Sequence, residues 1–173
     1  MDELELASRR RIYEFLYANP GIHLRGIGQE LGMSTGMLSY HLDVLERRGL
    51  LKVEQQSHRK RYFIARAFAD AQRHILAVLR ERVPRRIVLD ILLHGQRSFA
   101  ELHAAMGVSK STLSYHLKKL LQRGILVRSR RGRESVFVIR DLDEVSKLLV
   151  ENRRSFQDEV VDRFVENRMR VQA

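Results

Sequence analysis

LGMSTGMLSYHLDVLERRGLL, residues 31–51, returns at residues 106–126 as MGVSKSTLSYHLKKLLQRGIL. The offset is 75 residues and needs no gap. In the same register Arg10-Arg11-Ile12 falls on Arg85-Arg86-Ile87, Arg48-Gly49 on Arg123-Gly124 and Ile64 on Ile139. One ungapped register of that length marks a duplicated structural unit. Within each copy a glycine makes a tight turn (Gly32, Gly107). A serine follows, placed to cap a helix by accepting from the free amides of its first turn (Ser34, Ser109). A second glycine (Gly49, Gly124) then ends that helix in the left-handed region.

The flanking sequence supplies the rest of the unit. A first helix is expected over 4–18, with Ile12, Phe15 and Leu16 at helical spacing. Asn19-Pro20-Gly21 breaks it, and a short helix follows over 24–31. After the capped helix the period changes to that of strands. Leu50 to Glu54 and Arg61 to Ile64 read as a hairpin joined by the polar, basic stretch Gln55 to Lys60. The second unit repeats this order. Pro84 suits a helix start, Ser98 caps a short helix through Met106, and strands fall at 125–129 and 135–139 around the loop Arg130-Arg131-Gly132-Arg133. The expected fold is mainly α with small β wings: two tandem winged helix-turn-helix domains, 1–66 and 83–140. A helical linker at 67–82 carries an apolar stripe that should fix the relation of the units. An amphipathic helical segment closes the chain at 141–173, interrupted near Asn152 to Ser155; either folding onto a repeat or pairing with a second chain would bury its apolar side.

Composition narrows the chemistry. The 173 residues carry 32 Lys and Arg against 21 Asp and Glu, a net charge of +11. A charge of that size suits a polyanionic partner. There is no cysteine, which removes disulfides, thiolate metal sites and cysteine nucleophiles, and fits a reducing cytoplasm. No apolar run reaches the ~20 residues needed to cross a bilayer, and the acidic start, Met1 to Glu5, lacks the pattern of a signal peptide. No membrane partner is expected, and the cytosol is the expected location. No Ser-His-Asp set, phosphate loop or carboxylate pair stands out, so neither an enzyme nor a cofactor is expected. No histidine pair has metal-ligand spacing near a third ligand, so no metal is expected.

Two helices joined by a glycine turn, the second capped by serine, form a helix-turn-helix, and a basic hairpin after it makes a wing. On a helical wheel Leu38, Leu42 and Leu45 share the core side, and Gly36, Tyr40 and Arg47 point away from it. Such a helix fits the major groove, with its N-terminal residues reaching base edges. Ser34, Thr35, Gly36, Ser39 and Tyr40 are therefore the first unit's recognition candidates. Ser109, Lys110, Ser111, Thr112, Ser114, Tyr115, Lys118 and Lys119 are the second's. The wing candidates for phosphate are Arg59, Lys60 and Arg61 in the first unit and Arg130, Arg131 and Arg133 in the second. His41 and His116 lie beside the core face, where a phosphate contact and a half-buried histidine bonded to backbone weigh equally. Charge separates the copies. Residues 33–51 are net neutral, whereas 108–126 carry Lys110, Lys118, Lys119 and Arg123 and no acid. Basic charge concentrated where a winged helix meets phosphates favours double-stranded DNA as the partner.

Both quoted segments resemble the recognition segment of ArsR-type and MarR-type winged-helix regulators. There a capped helix carrying Ser-x-His-Leu closes on Gly-Leu or Gly-Ile. Two such domains in one short chain resemble archaeal tandem winged-helix transcriptional regulators. The resemblance implies sequence-specific DNA binding through the capped helix and the wing. Lacking cysteine, the chain departs from the ArsR-type sensors that bind metal through thiolates. Two units in one chain would supply the two-fold arrangement other regulators gain by dimerising, with half-sites about one helical turn apart if both helices face the same side. A winged-helix protein-interaction module, and a non-specific, single-strand or chromatin-type DNA binder, are the alternatives. The C-terminal segment is the candidate for a homodimer contact.

Overall fold

The computed structural model describes residues 3–56, 58–156 and 158–171, with side chains placed for 7–56, 58–156 and 158–166. It divides into two units between Ala77 and Val78. The first contains α1 (Glu3–Ala18), β1 (Ile22–His23), α2 (Leu24–Leu31), α3 (Thr35–Arg47), β2 (Leu51–Gln56) and β3 (Arg59–Ile64). Helix α4 (Asp70–Leu79) runs across the division. The second contains α5 (Arg82–His94), β4 (Arg97–Ser98), α6 (Phe99–Met106), α7 (Lys110–Gln122), β5 (Leu126–Arg131) and β6 (Glu134–Ile139). It closes with α8 (Leu142–Glu151), α9 (Arg153–Phe156) and α10 (Glu159–Val171). From β1 to β3 every element recurs at the 75-residue offset seen in the sequence.

The capped helix forms for the reason its sequence gives. The Ser34 hydroxyl accepts from the Met37 amide at 3.4 Å, and the Ser109 hydroxyl from the Thr112 amide at 3.1 Å. Each cap of this kind stabilises by about 1 kcal/mol. The preceding turn needs a positive φ, and Gly32 (65°) and Gly107 (64°) supply it. Leu38, Leu42 and Leu45 are buried in the first unit, as are Leu113, Leu117 and Leu120 in the second. Burying a leucine contributes roughly 1.5–3 kcal/mol, so this stripe fixes which side of the helix is left outward. In the first unit it packs on Ile12, Leu16, Ile27, Leu51 and Ile64.

Each unit has a three-stranded antiparallel sheet, β1-β3-β2 and β4-β6-β5. The two-residue strands β1 and β4 carry no periodicity that a sequence reading can catch. The hairpins are longer than expected. Pairing in the first wing continues to Gln55↔Lys60 and Gln56↔Arg59, and in the second to Arg130↔Ser135 and Arg131↔Glu134. Polar composition suggested loops over 55–60 and 130–133, but backbone pairing satisfies those amides and carbonyls whatever the side chains are. In the second wing the turn shrinks to Gly132 and Arg133, a length hairpins favour. Ser57, placed in the first loop by the sequence reading, lies outside the described residues.

The C-terminal segment folds onto the second unit. Val145, Leu148, Leu149, Phe156, Val161, Phe164 and Val165 are all buried. The Phe156 ring lies 5.0 Å from the Arg80 guanidinium and 5.6 Å from that of Arg85. Arg85 donates to Asp158 at 2.7 Å and to the Leu79 carbonyl at 2.8 Å. Burial pushes the Asp158 carboxyl up, but the hydrogen bonds from Arg85 and from the Val160 amide outweigh it and hold the group below its ordinary value. The segment breaks at Asn152, which is buried and donates to the Leu148 carbonyl at 2.9 Å. The segment is divided into three helices, α8, α9 and α10. Gln157, Gln172 and Ala173 of the segment lie outside the described residues.

Candidate nucleic-acid interface

In the second unit Ser111, Tyr115 and Lys118 stand on the side of α7 opposite the leucine stripe, Lys110 and Ser114 flank them, and all five are exposed. Tyr115 is 58% exposed, and its ring packs edge-on against His116 at 5.1 Å. Ser109 is exposed at the cap, and its hydroxyl lies 2.9 Å from that of Ser111 and 2.8 Å from that of Thr112. This cluster of hydroxyls sits at the helix N-terminus, where unpaired amides favour an anion. On the wing Arg128, Arg130 and Arg133 are exposed and make no ion pair with a described residue. A groove runs between α7 and the wing, lined by Ser114, Lys118, Leu121, Arg128 and Phe137, with Phe99 at one end. Arg128 lies on the strand, outside the loop, so a reading that weighed loop residues passed over it. Its alternation with Arg130 along β5 is the signal that would have found it.

Two of the basic candidates in this unit are held internally. The Lys119 ammonium lies 2.6 Å from the Glu81 carboxylate, with only 14% of its side chain exposed. Arg131 bridges Glu101 at 2.9 Å and Glu134 at 2.7 Å. The Glu101 carboxylate also accepts from the Ser98 amide at 2.7 Å, completing a capping box with the Ser98 hydroxyl. Arg131 therefore ties the wing to the start of α6. It remains exposed, but it meets any phosphate already neutralised.

The first unit presents a different face. Ser34, Thr35, Gly36 and Tyr40 are exposed at the start of α3, and Ser39 is half-buried. Tyr40 is 49% exposed and Met37 44%. Arg59 and Lys60 are exposed on the wing, but Arg61 is not. Its guanidinium is buried, donating to the Gln56 side chain and to the Gly21 carbonyl, the latter at 3.0 Å. It belongs to the structure of the wing. The cause is the strand: with Arg59 to Ile64 all in β3, Arg61 sits opposite both Glu54 and His23 rather than at a loop tip.

Neither histidine of the repeated pentapeptide is exposed. His41 is 4% exposed. His116 is half-buried, and its Nδ1 meets no hydrogen-bond partner. Burial lowers the His116 pKa, with Lys119 adding to the effect and Glu81 opposing it. Among the described residues no group of three His, Cys, Asp or Glu could hold a metal ion, and no helix is long and apolar enough to cross a membrane.

A glycine turn, a serine-capped helix with one free side and a three-stranded sheet ending in a basic hairpin define a winged helix-turn-helix, here present twice. Comparison with known proteins agrees. Residues 7–76 match the family model of an N-terminal HTH domain, and residues 83–127 match that of bacterial regulatory proteins of the arsR family. The two matches lie in tandem along the chain, one on each copy of the repeat. An HTH-type transcriptional regulator of Methanocaldococcus jannaschii is 27% identical over 135 residues, which is 78% of this chain and 34% of that protein. The chain thus spans about a third of the relative's length. Among solved structures, the transcriptional repressor PagR of Bacillus anthracis is 20% identical, with a TM-score of 0.41, covering 46% of this chain and 90% of its own. Rv0081 of M. tuberculosis is 26% identical, also at a TM-score of 0.41, covering 55% and 89% respectively.

Proposed function

We propose that the chain binds double-stranded DNA sequence-specifically as a transcriptional regulator, with α7 and the second wing as its principal contact surface. The observation that carries this reading is the gathering of Lys110, Ser111, Ser114, Tyr115 and Lys118 on one exposed side of α7, with Arg128, Arg130 and Arg133, which pair with no described residue, exposed on the adjoining wing. Lysine and arginine supply the sequence-independent attraction to phosphate. Ser111, Ser114 and Tyr115 would face base edges in the major groove and supply discrimination. The first unit would add α3, through Thr35, Gly36 and Tyr40, and its wing, through Arg59 and Lys60.

Selection of bound sequences from a random duplex pool, followed by salt titration on selected and scrambled duplexes, tests the reading. A two-part motif supports the use of both helices, and a single motif assigns recognition to α7. Equal affinity for every duplex would leave a non-specific binder, and no binding at low salt would remove DNA altogether. A second reading applies to the first unit alone. Its helix α3 carries Asp43 and Glu46 against Arg47, a net charge of −1, and exposes Met37 and Tyr40, a surface that suits a protein partner. A single α7-type motif, with affinity unchanged by Tyr40→Ala, would favour it.

A further inference from the structure

The first unit contains a cleft of about 560 Å³ between α2 and the wing. That is within the range of small-molecule sites, roughly 300–1,000 Å³. Arg25 enters from α2, and Arg59 and Lys60 enter from β3. None of the three makes an ion pair with a described residue, and among the described residues no acidic one lines the cleft. The carboxylates that act on Tyr62 in the cleft wall, Asp43 and Glu46, belong to α3 and lie outside the lining. His23 and His58 stand at the two sides, while Leu24 and Tyr62 give an apolar surface. Three like charges converging on one cavity repel unless an anion joins them.

The second unit shows what that anion replaces. There the same two elements are tied by a carboxylate, Glu101 of α6 bonded to Arg131 of the wing at 2.9 Å. In the first unit the position of Glu101 is Gly26, and that of Arg131 is Gln56. Position 26 has no room for an internal carboxylate, because a Cβ built there would lie 2.8 Å from the Ile22 side chain. Arg25, Arg59 and Lys60 meanwhile replace Ala100, Glu134 and Ser135. The two copies have diverged in opposite senses: one carries its own anion between helix and wing, and the other gathers cations around an open space.

We infer that this cleft binds a small organic phosphate, its phosphate held by Arg25, Arg59 and Lys60 and its organic part against Leu24 and Tyr62. Arginine offers the paired donors that phosphate oxygens accept. A bare phosphate would leave most of the cavity unfilled, which is why an organic part is assigned.

The test is a titration of the full chain at low ionic strength with phenyl phosphate, and in parallel with inorganic phosphate and phenol, followed by amide and arginine Nε resonances. The expected result is saturable one-to-one binding of phenyl phosphate, with shifts confined to residues 23–29 and 58–62. Arg25→Gln, with its circular dichroism spectrum unchanged, should weaken it roughly tenfold or more, the loss of one charge-assisted pair. Arg130→Gln should leave it unchanged. Unsaturable shifts spread over both wings, or binding that survives Arg25→Gln, would overturn the inference. So would a chain that ignores phenyl phosphate but loses duplex affinity on Arg25→Gln, since the cleft's anion would then be the DNA phosphodiester. Duplex affinity is measured separately, so failure here is distinct from failure of the DNA reading.

Discussion

Equivalent residues of the repeat have been put to different uses. Arg11 and Arg86 keep one role: each reaches the C-terminal end of the helix beside it, donating to the Leu31 carbonyl at 3.5 Å and to that of Met106 at 3.2 Å. Their neighbours part company. Arg10 lies exposed and pairs with Glu14, whereas Arg85 is buried against Asp158. The sequence shows Arg-Arg-Ile twice and cannot show this, because Asp158 belongs to a segment the first unit lacks. Arg61 teaches the same lesson. As a base at a hairpin it reads as a phosphate contact, and only the strand register turns it inward. Arg61→Ala should lower the melting temperature, because it leaves the Gly21 carbonyl and the Gln56 side chain without their donor. A buried group left unsatisfied costs about 1–3 kcal/mol. The salt dependence of DNA binding should not change. A reduced salt slope at unchanged stability would return Arg61 to the interface.

The link between the second wing and α6 makes a prediction about pH. The Ser98 amide first, and then Arg131, hold the Glu101 carboxyl below its ordinary value, and Arg131 does the same for Glu134. A carboxyl whose folded pKa is depressed contributes stability that is present above the unfolded pKa. That contribution is lost as pH falls through the folded value. The melting temperature of the wild type should therefore exceed that of Arg131→Gln fully above the ordinary glutamate pKa of about 4.3 and converge on it only in more acid solution, as pH falls through the lowered folded values. A difference that persists unchanged into acid would show that Arg131 acts through packing instead.

At the scale of elements, the sequence revealed helices through caps and periods and misjudged what pairing alone decides. Ser34, Ser109, Gly32 and Gly107 located the capped helices to within a residue. The wings came out short, since Gln55, Gln56, Arg59 and Lys60 carry no strand signal of their own and are extended only because their partners are. Helix α7 was legible almost whole, outward residues included. What stayed hidden was Lys119, whose partner Glu81 is distant in sequence. That difference is testable within one helix. Lys118→Gln should lower the slope of log affinity against log salt by about 0.9, the value of one phosphate contact. Lys119→Gln should leave that slope nearly unchanged and lower stability instead. Equal slopes for the two variants would mean that the Glu81 pair opens on DNA.

At the scale of the whole molecule, duplication has produced two winged helices of unequal character. Counted on the sequence, the wings are equally basic and only the recognition helices differ. The structure changes that count, since Arg61 is buried in the first wing and Arg131 is neutralised in the second. The second unit still exposes Lys110, Lys118, Arg128, Arg130 and Arg133, two of them lining one groove, while the first exposes Arg59 and Lys60 on a wing whose recognition helix is net −1. Affinity for DNA should follow the same division. Changing Lys110, Lys118, Arg130 and Arg133 together to glutamine removes four contacts and should reduce the salt slope by about 3.6, whereas Arg59→Gln with Lys60→Gln should reduce it by about 1.8 at most. Affinities measured by fluorescence anisotropy on one duplex across a range of salt concentrations give both slopes. If the first-unit pair cost as much as the second-unit set, α3, with its net charge of −1, would have to be the principal reader. The charge asymmetry between the copies would then be a matter of solubility rather than recognition.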